Sequence, residues 1–179
     1  MASDNHVICY EAIQRTYRNS VVRFLRGKLC AKFPTEWERK LRAPFKSEEW
    51  ETTEKNALAT RATGELGSEV GDDFDLLSVS HFFNLFDSYY DVLFESGVRG
   101  SIDRKREKQT LLGWTKAIKN LRDPLSHPSE QDLSREDAFH LLDCARRVLL
   151  RLQLRDDAAK LQVSLDKVLD ATASADPPR

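Results

Sequence analysis

The sequence has few of the residues that build special structures. It holds three cysteines, seven glycines and six prolines in 179 residues. Cys9, Cys30 and Cys144 are widely separated and odd in number, so neither a disulfide framework nor a zinc site is expected. The low glycine and proline content argues against a fibrous or low-complexity chain. We expect an ordinary globular chain that uses no metal and no cofactor.

Long apolar runs and a dominant charge are also missing. No stretch approaches the roughly 20 apolar residues that a membrane-spanning helix requires, and the N-terminus lacks a charged segment followed by an apolar one. These absences predict a cytoplasmic protein with no membrane partner. The formal net charge is −1, from 28 basic and 29 acidic residues. Any contact with nucleic acid must therefore come from a local basic patch.

Apolar residues recur with helical spacing through most of the chain. The first segment, from about Val7 to Phe33, predicts one long amphipathic helix with a basic outer side. Its apolar face steps by four residues: Ile13, Tyr17, Val21, Leu25 and Leu29. From Pro34 to Asp73 the spacing is poorer and glycines follow, so we expect short helices and then a mobile loop at about residues 60–73.

The second half predicts a central helix and further helices around it. Residues Phe74 to Phe94 are apolar on almost every side, which is typical of a buried helix. The next helix ends near Pro124, which lacks an amide hydrogen and must bend or stop it. Ser134 can cap the helix after that. A final helix runs from about Asp156 to Ala173 and leads into a linker-like tail.

These patterns together favour an all-α fold. The sequence shows no strand alternation, no glycine-rich phosphate loop and no acidic cluster at metal spacing. We expect a helical domain over residues 5–155, and a C-terminal helix with a linker-like tail over residues 156–179. That tail is consistent with a longer parent protein that carries a further domain.

One segment, Arg122-Asp123-Pro124-Leu125-Ser126-His127, holds residue types suited to catalysis. On an unbroken helix, the side chains of Arg122 and His127 would point about 140° apart. A kink at Pro124 would bring both to the same surface. There a histidine can move the proton of a 2′-hydroxyl or of a leaving 5′-oxygen, and a guanidinium can bind the phosphate. Asp123 would orient either group.

At these residues the chain resembles the HEPN superfamily. The signature is an Arg, a polar residue, three variable residues and a His at a helix end, followed by the last core helix of an α-bundle. The resemblance extends to "HFFNLFDSYYDVLF" and to "LLGWTKAIKNLRDPLSHPSEQDLSREDAFHLLDCARRVLLRL", and residues 5–33 are similar to the long first helix. These stretches are most similar to a subgroup appended to bacterial anti-phage and ATPase proteins and to a eukaryotic nuclear endoribonuclease of mRNA surveillance.

The resemblance implies a four- or five-helix up-and-down bundle that forms a homodimer, with two motifs meeting in a composite RNase site. It implies that Arg122 and His127 are the catalytic pair, supported by Asp123, of a metal-independent endoribonuclease. The implied context is antiviral defence or a toxin–antitoxin system. The implied partners are RNA, and an antitoxin or an attached ATPase or nuclease domain.

Two other interpretations remain open at this point. One is a non-catalytic HEPN module that dimerises or binds nucleotide or RNA and regulates an attached ATPase or nuclease. Asp123 in place of the usual Asn, and Pro124 in a stretch that is commonly helical, favour this alternative. The other is an unrelated helical adaptor, in which Arg122 and Asp123 form a surface ion pair and His127 is favoured by the helix dipole.

Further candidate residues lie outside this segment. The basic run Arg104-Lys105-Arg106 is either a solvated loop or a patch that binds RNA phosphates. His140 could face the same cleft as Arg122 and contact substrate, although a partly exposed helical histidine is more often structural. Trp114 lies at core spacing, which favours packing over base stacking.

Overall fold

The computed structural model describes residues 4–62, 72–94, 101–126 and 133–170, and every regular element in these ranges is a helix. The α-helices are α1 (Asp4–Glu11), α2 (Arg18–Lys32), α3 (Trp37–Arg42), α4 (Ser47–Ala62), α5 (Phe82–Leu93), α6 (Ser101–Ser126), α7 (Arg135–Arg151) and α8 (Arg155–Asp170). A π-helical segment, Ala12–Tyr17, joins α1 to α2, and 3₁₀ turns lie at Asp73–Leu76 and Val79–His81. The all-α class is confirmed for these residues. None of these helices is long and apolar enough to cross a membrane.

The chain divides into two compact units. The terminal unit takes in the described parts of Met1–Val21 and Ile102–Arg179, and the central unit takes in those of Val22–Ser101. The divisions fall within α2 and at the start of α6. The sequence pattern instead divided the chain near residue 155, between α7 and α8, and these two helices pack together in the terminal unit.

The N-terminal helix follows its apolar pattern. The helical path is continuous from Asp4 to Lys32. The predicted face is confirmed, since all five of its residues have a relative exposure of 0%: Ile13, Tyr17, Val21, Leu25 and Leu29. The π-helical segment was not predicted, because a local change in hydrogen-bond spacing leaves the order of apolar and polar residues unaltered.

The terminal unit is built on α7 and α8, which pack against each other and against α1 and the π-helical segment. Ser134 accepts a hydrogen bond from the Asp137 amide at 3.1 Å, which confirms the predicted cap of α7. The surfaces that α7 and α8 bury are mostly aliphatic: Leu141, Leu142, Val148, Leu149, Leu161, Leu165 and Val168. Burial of each such side chain contributes about 1.5–3 kcal/mol to stability.

A tight turn reverses the chain between α7 and α8. Gln153 has a left-handed φ of 63°. Its amide donates to the Leu150 carbonyl at 3.0 Å, and the Leu154 amide donates to the Leu149 carbonyl at 2.9 Å. These two bonds form a Schellman motif, in which glycine is the usual left-handed residue. The turn satisfies the last carbonyls of α7 and lets α8 begin at once.

In the central unit, two capped turns replace the first part of the helix expected from Phe74. The Asp72 carboxylate accepts a hydrogen bond from the Phe74 amide at 2.9 Å, and Leu77 and Ser78 are extended. The prediction of one helix over Phe74–Phe94 was therefore wrong, and α5 begins at Phe82. The reason is that Asp and Ser side chains offer the backbone local hydrogen bonds that compete with helix growth.

The helix α5 also has a polar side that the sequence pattern did not suggest. Asp87, Ser88 and Asp91 are exposed. The opposite side supplies large buried residues: Phe82, Leu85, Phe86, Tyr90 and Leu93. The expectation of a helix without a clean polar face was wrong, since this helix is amphipathic.

The loop expected at about residues 60–73 corresponds to three segments of the chain. Residues 60–62 end α4, which is longer than the short helices expected here. Residues 63–71 lie outside the described part of the chain. The remaining residues begin the segment Asp72–Leu76, which we name the acidic turn.

Two arginines hold the acidic turn in place. Arg26 of α2 donates to Asp72 at 2.7 Å and to Asp75 at 3.0 Å. Arg42 of α3 binds both carboxylate oxygens of Asp73, at 2.6 and 3.0 Å. Such charge-assisted and bidentate pairs are roughly twice as strong as neutral hydrogen bonds. They fix a segment that has almost no regular secondary structure of its own.

Phe74 fixes the same turn from its apolar side. Its ring stacks on Trp37 with centroids 5.2 Å apart and an interplanar angle of 19°, and the Arg26 guanidinium lies 5.3 Å from its centroid. Aromatic pairs of this kind contribute about 0.5–1.5 kcal/mol beyond the area they bury. The turn is thus held by ionic and aromatic contacts together.

Candidate functional site at the junction of α6 and α7

Arg122 lies on the inner face of α6, four residues before the helix ends. Leu111, Thr115 and Ile118 are fully buried along this helix, and helical spacing puts Arg122 about 20° from Leu111 around the axis. The Arg122 side chain is half-buried. The Thr115 hydroxyl donates to the Leu111 carbonyl at 2.8 Å, so the buried stripe contains no unsatisfied hydroxyl. A guanidinium therefore stands at the C-terminal end of an apolar stripe, near the negative end of the helix dipole.

The helix α6 continues through Pro124 to Ser126. The predicted end of this helix near Pro124 is confirmed, and Pro124 itself lies within the last turn of the helix. Only two residues of α6 follow Pro124, and the amide that proline lacks would have paired with the carbonyl of Asn120, which is exposed to water. The side chain of Asp123 and the whole of His127 lie outside the described residues. The pairing of Arg122 with Asp123 and His127 therefore stays a prediction.

Two contacts join α6 to α7 in an antiparallel arrangement. Arg151 donates to Glu107 at 2.6 Å, and the Arg147 guanidinium lies 5.9 Å from the centroid of the Trp114 ring. From the first contact to the second, the residue number increases along α6 and decreases along α7, so the two helices run in opposite directions. Core spacing favoured packing over base stacking for Trp114; its side chain is half-buried, with the Arg147 guanidinium beside its ring.

Helical spacing projects this register toward Arg122. Leu121 lies seven residues beyond Trp114 on α6, and His140 lies seven residues before Arg147 on α7. Both steps correspond to about 10.5 Å in the same direction. His140 is thus expected at the level of Leu121 and Arg122. We name this line of side chains the α6–α7 seam: Glu107, Trp114 and Arg122 on α6, with His140, Asp143, Arg147 and Arg151 on α7.

Asp143 is paired with two arginines of α7. It accepts hydrogen bonds from Arg147 at 2.6 Å and from Arg146 at 3.1 Å. Burial by itself would raise the pKa of Asp143, but the hydrogen bonds and charges of Arg147 and Arg146 outweigh it and hold its pKa below the ordinary value of an aspartate. Asp143 is ionised at neutral pH and orients two guanidinium groups. It is not placed to act as an acid.

His140 is exposed, and both of its ring nitrogens lie 3.9 Å from the Cys144 sulfur. Burial, followed by the charge of Asp143, raises the pKa of the Cys144 thiol. The thiolate is the nucleophilic form of cysteine, so this His–Cys pair is not an activated nucleophile. His140 keeps an imidazole at the surface of the seam, on the Arg122 side.

The basic run Arg104, Lys105 and Arg106 occupies the first turns of α6 rather than a loop. It is separated from Arg122 by 16 to 18 residues, or about 24–27 Å along the helix axis. The solvated-loop interpretation was wrong in its secondary structure. Within one chain, the basic run and Arg122 lie at opposite ends of α6 and do not form a single site.

A second group of polar residues lies in the central unit. The Ser78 hydroxyl is 3.1 Å from His81 Nδ1, and His81 Nε2 is 3.1 Å from the Thr53 hydroxyl. The Ser78 amide donates to the same Nδ1 at 2.9 Å, so Nδ1 serves as an acceptor for the backbone and not as a base for the hydroxyl. Thr53 in turn donates to the Glu49 carbonyl at 2.8 Å. This arrangement caps a turn, and it lacks the features of a catalytic dyad.

No group of three or more His, Cys, Asp or Glu side chains that could hold a metal is found in the described parts of the chain. The residues that the sequence patterns missed are Asp143, Arg146 and Arg147. Their signal was present as acid–base spacings of three and four residues on α7, which is typical of helix-surface pairs. What the spacing could not give is the position of Trp114 beneath Arg147.

Comparison with known proteins gives no relative of this chain. No family model, no curated protein and no solved structure matches it.

Proposed function

We propose that this protein is a metal-independent endoribonuclease domain of the HEPN type, in which Arg122 binds the scissile phosphate and His127 transfers the proton. The observation that carries the proposal is the position of Arg122. It lies half-buried at the C-terminal end of α6, and the histidine of the motif is the next residue in the sequence after this helix. The resemblance of the sequence motif supplies the family.

The proposed reaction is attack of a 2′-hydroxyl on the adjacent phosphate. His127 takes the hydroxyl proton or protonates the leaving 5′-oxygen, and a histidine near its ordinary pKa suits both tasks at neutral pH. The Arg122 guanidinium stabilises the charge that develops on the phosphate oxygens. Asp123 supports one of these groups.

The proposed biological setting is a defence or toxin–antitoxin system, with RNA as substrate and the domain as an up-and-down bundle that dimerises. In the dimer two copies of Arg122 and His127 form a composite site. An antitoxin, or an attached ATPase or nuclease domain, would control it. We place the protein in the cytoplasm on the same grounds.

The test is incubation of the purified protein with total RNA and with tRNA in the presence of EDTA. The wild type is expected to cleave, and His127→Ala is expected to reduce cleavage by at least about 100-fold, since general acid–base catalysis contributes 10²–10⁴-fold. Arg122→Gln should lose cleavage to a similar extent. Lys119→Gln removes one charge from an exposed position of the same helix and serves as the matched control. Full cleavage by a folded His127→Ala protein would refute the proposal.

One observation favours a second candidate, a non-catalytic HEPN module that dimerises or binds nucleotide or RNA. The helix α6 continues through Pro124 to Ser126, whereas the alignment of Arg122 with His127 was expected from a kink at Pro124. The carboxylate of Asp123 also follows Arg122 directly in the sequence. This candidate predicts no cleavage, together with self-association measurable by light scattering or with ligand binding. A monomer that binds neither nucleotide nor RNA would exclude it.

A further inference from the structure

We infer that the α6–α7 seam binds single-stranded RNA, with a base stacked on the outer face of the Arg147 guanidinium. The inference rests on the proposed function for its choice of RNA. It goes beyond that proposal because it assigns substrate binding to residues outside the Arg122–His127 motif.

The guanidinium of Arg147 is held in one orientation from two directions. Its Nε donates to Asp143 at 2.6 Å, and the Trp114 ring lies 5.9 Å from its central carbon. The Arg147 side chain is nonetheless 50% exposed. The Nε edge is thus occupied by Asp143, and the exposed part of the side chain is available to a ligand. A fixed planar cation of this kind is the surface on which unstacked RNA bases are commonly held.

The charge of the seam suits a strand of phosphates. Three arginines of the seam, Arg122, Arg147 and Arg151, stand against its two carboxylates, those of Asp143 and Glu107. The whole chain carries a net charge of −1, so this local excess of positive charge is a feature of the seam. Arg146 and Arg147 are already paired with Asp143. We therefore assign base stacking to Arg147, and attraction of the RNA phosphates to the net positive charge of the seam.

A further aromatic side chain is exposed on α7. Phe139 is 40% exposed and precedes His140 on α7. The stretch of α7 from Phe139 to Arg151 is about 18 Å long. Basic side chains interleaved with stacking surfaces over such a length are typical of single-strand binding, for which site sizes of about 4–16 nucleotides are usual.

The geometry favours a single strand over a duplex. In an RNA helix the faces of the bases are stacked on one another and the major groove is too deep and narrow for side chains. The outer face of Arg147 can therefore stack only on a base that has left a helix. A single strand also supplies the conformational freedom that in-line attack by a 2′-hydroxyl requires.

The experiment uses the full chain and a fluorescein-labelled 12-nucleotide RNA with 2′-O-methyl sugars, read by fluorescence anisotropy. This probe lacks the attacking hydroxyl, so binding is measured whether or not the protein cleaves. The wild type is expected to bind the single strand at least tenfold more tightly than the same strand in a duplex. Arg147→Ala is expected to weaken binding by about fivefold or more, the loss typical of one stacked base.

Arg147→Lys distinguishes stacking from charge. Lysine keeps the positive charge but has no planar face, so this variant should bind as weakly as Arg147→Ala. Phe139→Ser changes an exposed side chain and should weaken binding without disturbing the fold. Arg155→Ala removes one charge from an exposed position of the same unit and should change binding less than twofold. Thermal unfolding of each variant separates lost binding from lost structure.

Three results would overturn the inference: wild-type binding by folded Arg147→Lys, equal affinity for single strand and duplex, or no binding of the probe. The last result together with RNA cleavage by the wild type rejects the seam and leaves the nuclease intact. Tight, Arg147-dependent binding without any cleavage rejects the nuclease and supports the seam.

Discussion

The packing of α7 on α8 in the terminal unit and the fixing of the acidic turn in the central unit depend on different chemistry. In the terminal unit, α7 and α8 bury leucine, valine and alanine side chains against each other and against α1 and the π-helical segment. In the central unit, the acidic turn is held by Arg26, Arg42 and a stack of aromatic rings. Aliphatic burial scales with the area removed from water and involves no charges that salt can screen. Ionic and aromatic contacts depend on geometry, and the ionic part is screened by salt.

The comparison shows why regular and irregular segments need different supports. Long amphipathic helices such as α7 and α8 present continuous apolar stripes, so hydrophobic burial alone can align them. The segment between α4 and α5 forms only short 3₁₀ turns in its described part, Asp72–His81. Specific hydrogen bonds and ion pairs must therefore fix it. The variants below test this difference, from the largest expected effect to the smallest.

The largest effect is expected in the aliphatic core. Leu161→Ala removes a side chain of 0% exposure from α8 and should lower the free energy of unfolding by about 2–5 kcal/mol, through lost transfer energy and the cavity left behind. Val163→Ala changes a residue of the same helix that is 55% exposed and should alter stability by no more than about 0.5 kcal/mol. Urea denaturation followed by circular dichroism measures both. Equal effects would mean that α8 contributes little burial.

Thiol labelling should separate the two units in the unmodified protein. Burial raises the pKa of Cys9 to about 12, and its side chain has no exposed surface. Burial also raises the pKa of Cys30, but Cys30 is only half-buried. We expect iodoacetamide at pH 8 to modify Cys30 at least about 100-fold faster than Cys9, because the thiolate is the reactive form and Cys9 needs local opening.

Mass spectrometry of peptides at successive times gives the two rates. In urea, where neither thiol is buried, the rates should converge. Similar rates in the native protein would show that the terminal unit opens as readily as the surface near Cys30, which would contradict the picture of a tightly packed aliphatic core.

A moderate effect is expected where the acidic turn is held. Arg42→Met removes the bidentate pair with Asp73 and should lower the free energy of unfolding by about 1 kcal/mol. Arg39→Met, on the same helix α3, breaks only an exposed pair with Glu36 and should cost less than about 0.5 kcal/mol. The difference between the two variants should shrink in 1 M NaCl. A difference that does not respond to salt would assign the role of Arg42 to its packing over Trp50.

The smallest effect concerns the turn between α7 and α8. Gln153→Gly should raise the free energy of unfolding by about 0.5–1 kcal/mol, since glycine adopts the left-handed φ of 63° without the clash of a Cβ atom. Urea denaturation of this variant beside Gln153→Ala gives the comparison, because alanine retains the Cβ and should not stabilise the turn. A destabilised Gln153→Gly protein would show that the entropy gained by the unfolded chain outweighs the relief of strain.

Regular helices were predictable where a pattern repeats, and turns were not. The five-residue face of the N-terminal helix and the Ser134 cap were read correctly because they depend on residues close in sequence. The start of α5 was missed because the caps at Asp72 and Ser78 override an apolar pattern. The end of α6 near Pro124 was predicted as well, and the helix includes Pro124 because the position of proline near the helix end makes its cost small.

The candidate site, like the fold, was predictable from the sequence only in part. The sequence alone determined which residues have the chemistry for phosphate contact, namely Arg122 with its neighbours and the basic run at Arg104. It also determined that α6 and α7 are helices. Local spacing and side-chain chemistry are sufficient for these inferences.

Only the tertiary structure decided which side chains share a surface. It put Arg147 over Trp114 and Arg151 beside Glu107, and it showed that Arg104 and Arg122 stand at opposite ends of one helix. These pairings join residues that are more than 30 positions apart in the sequence. No local period encodes them, because they arise from how two amphipathic helices turn their stripes toward a common core.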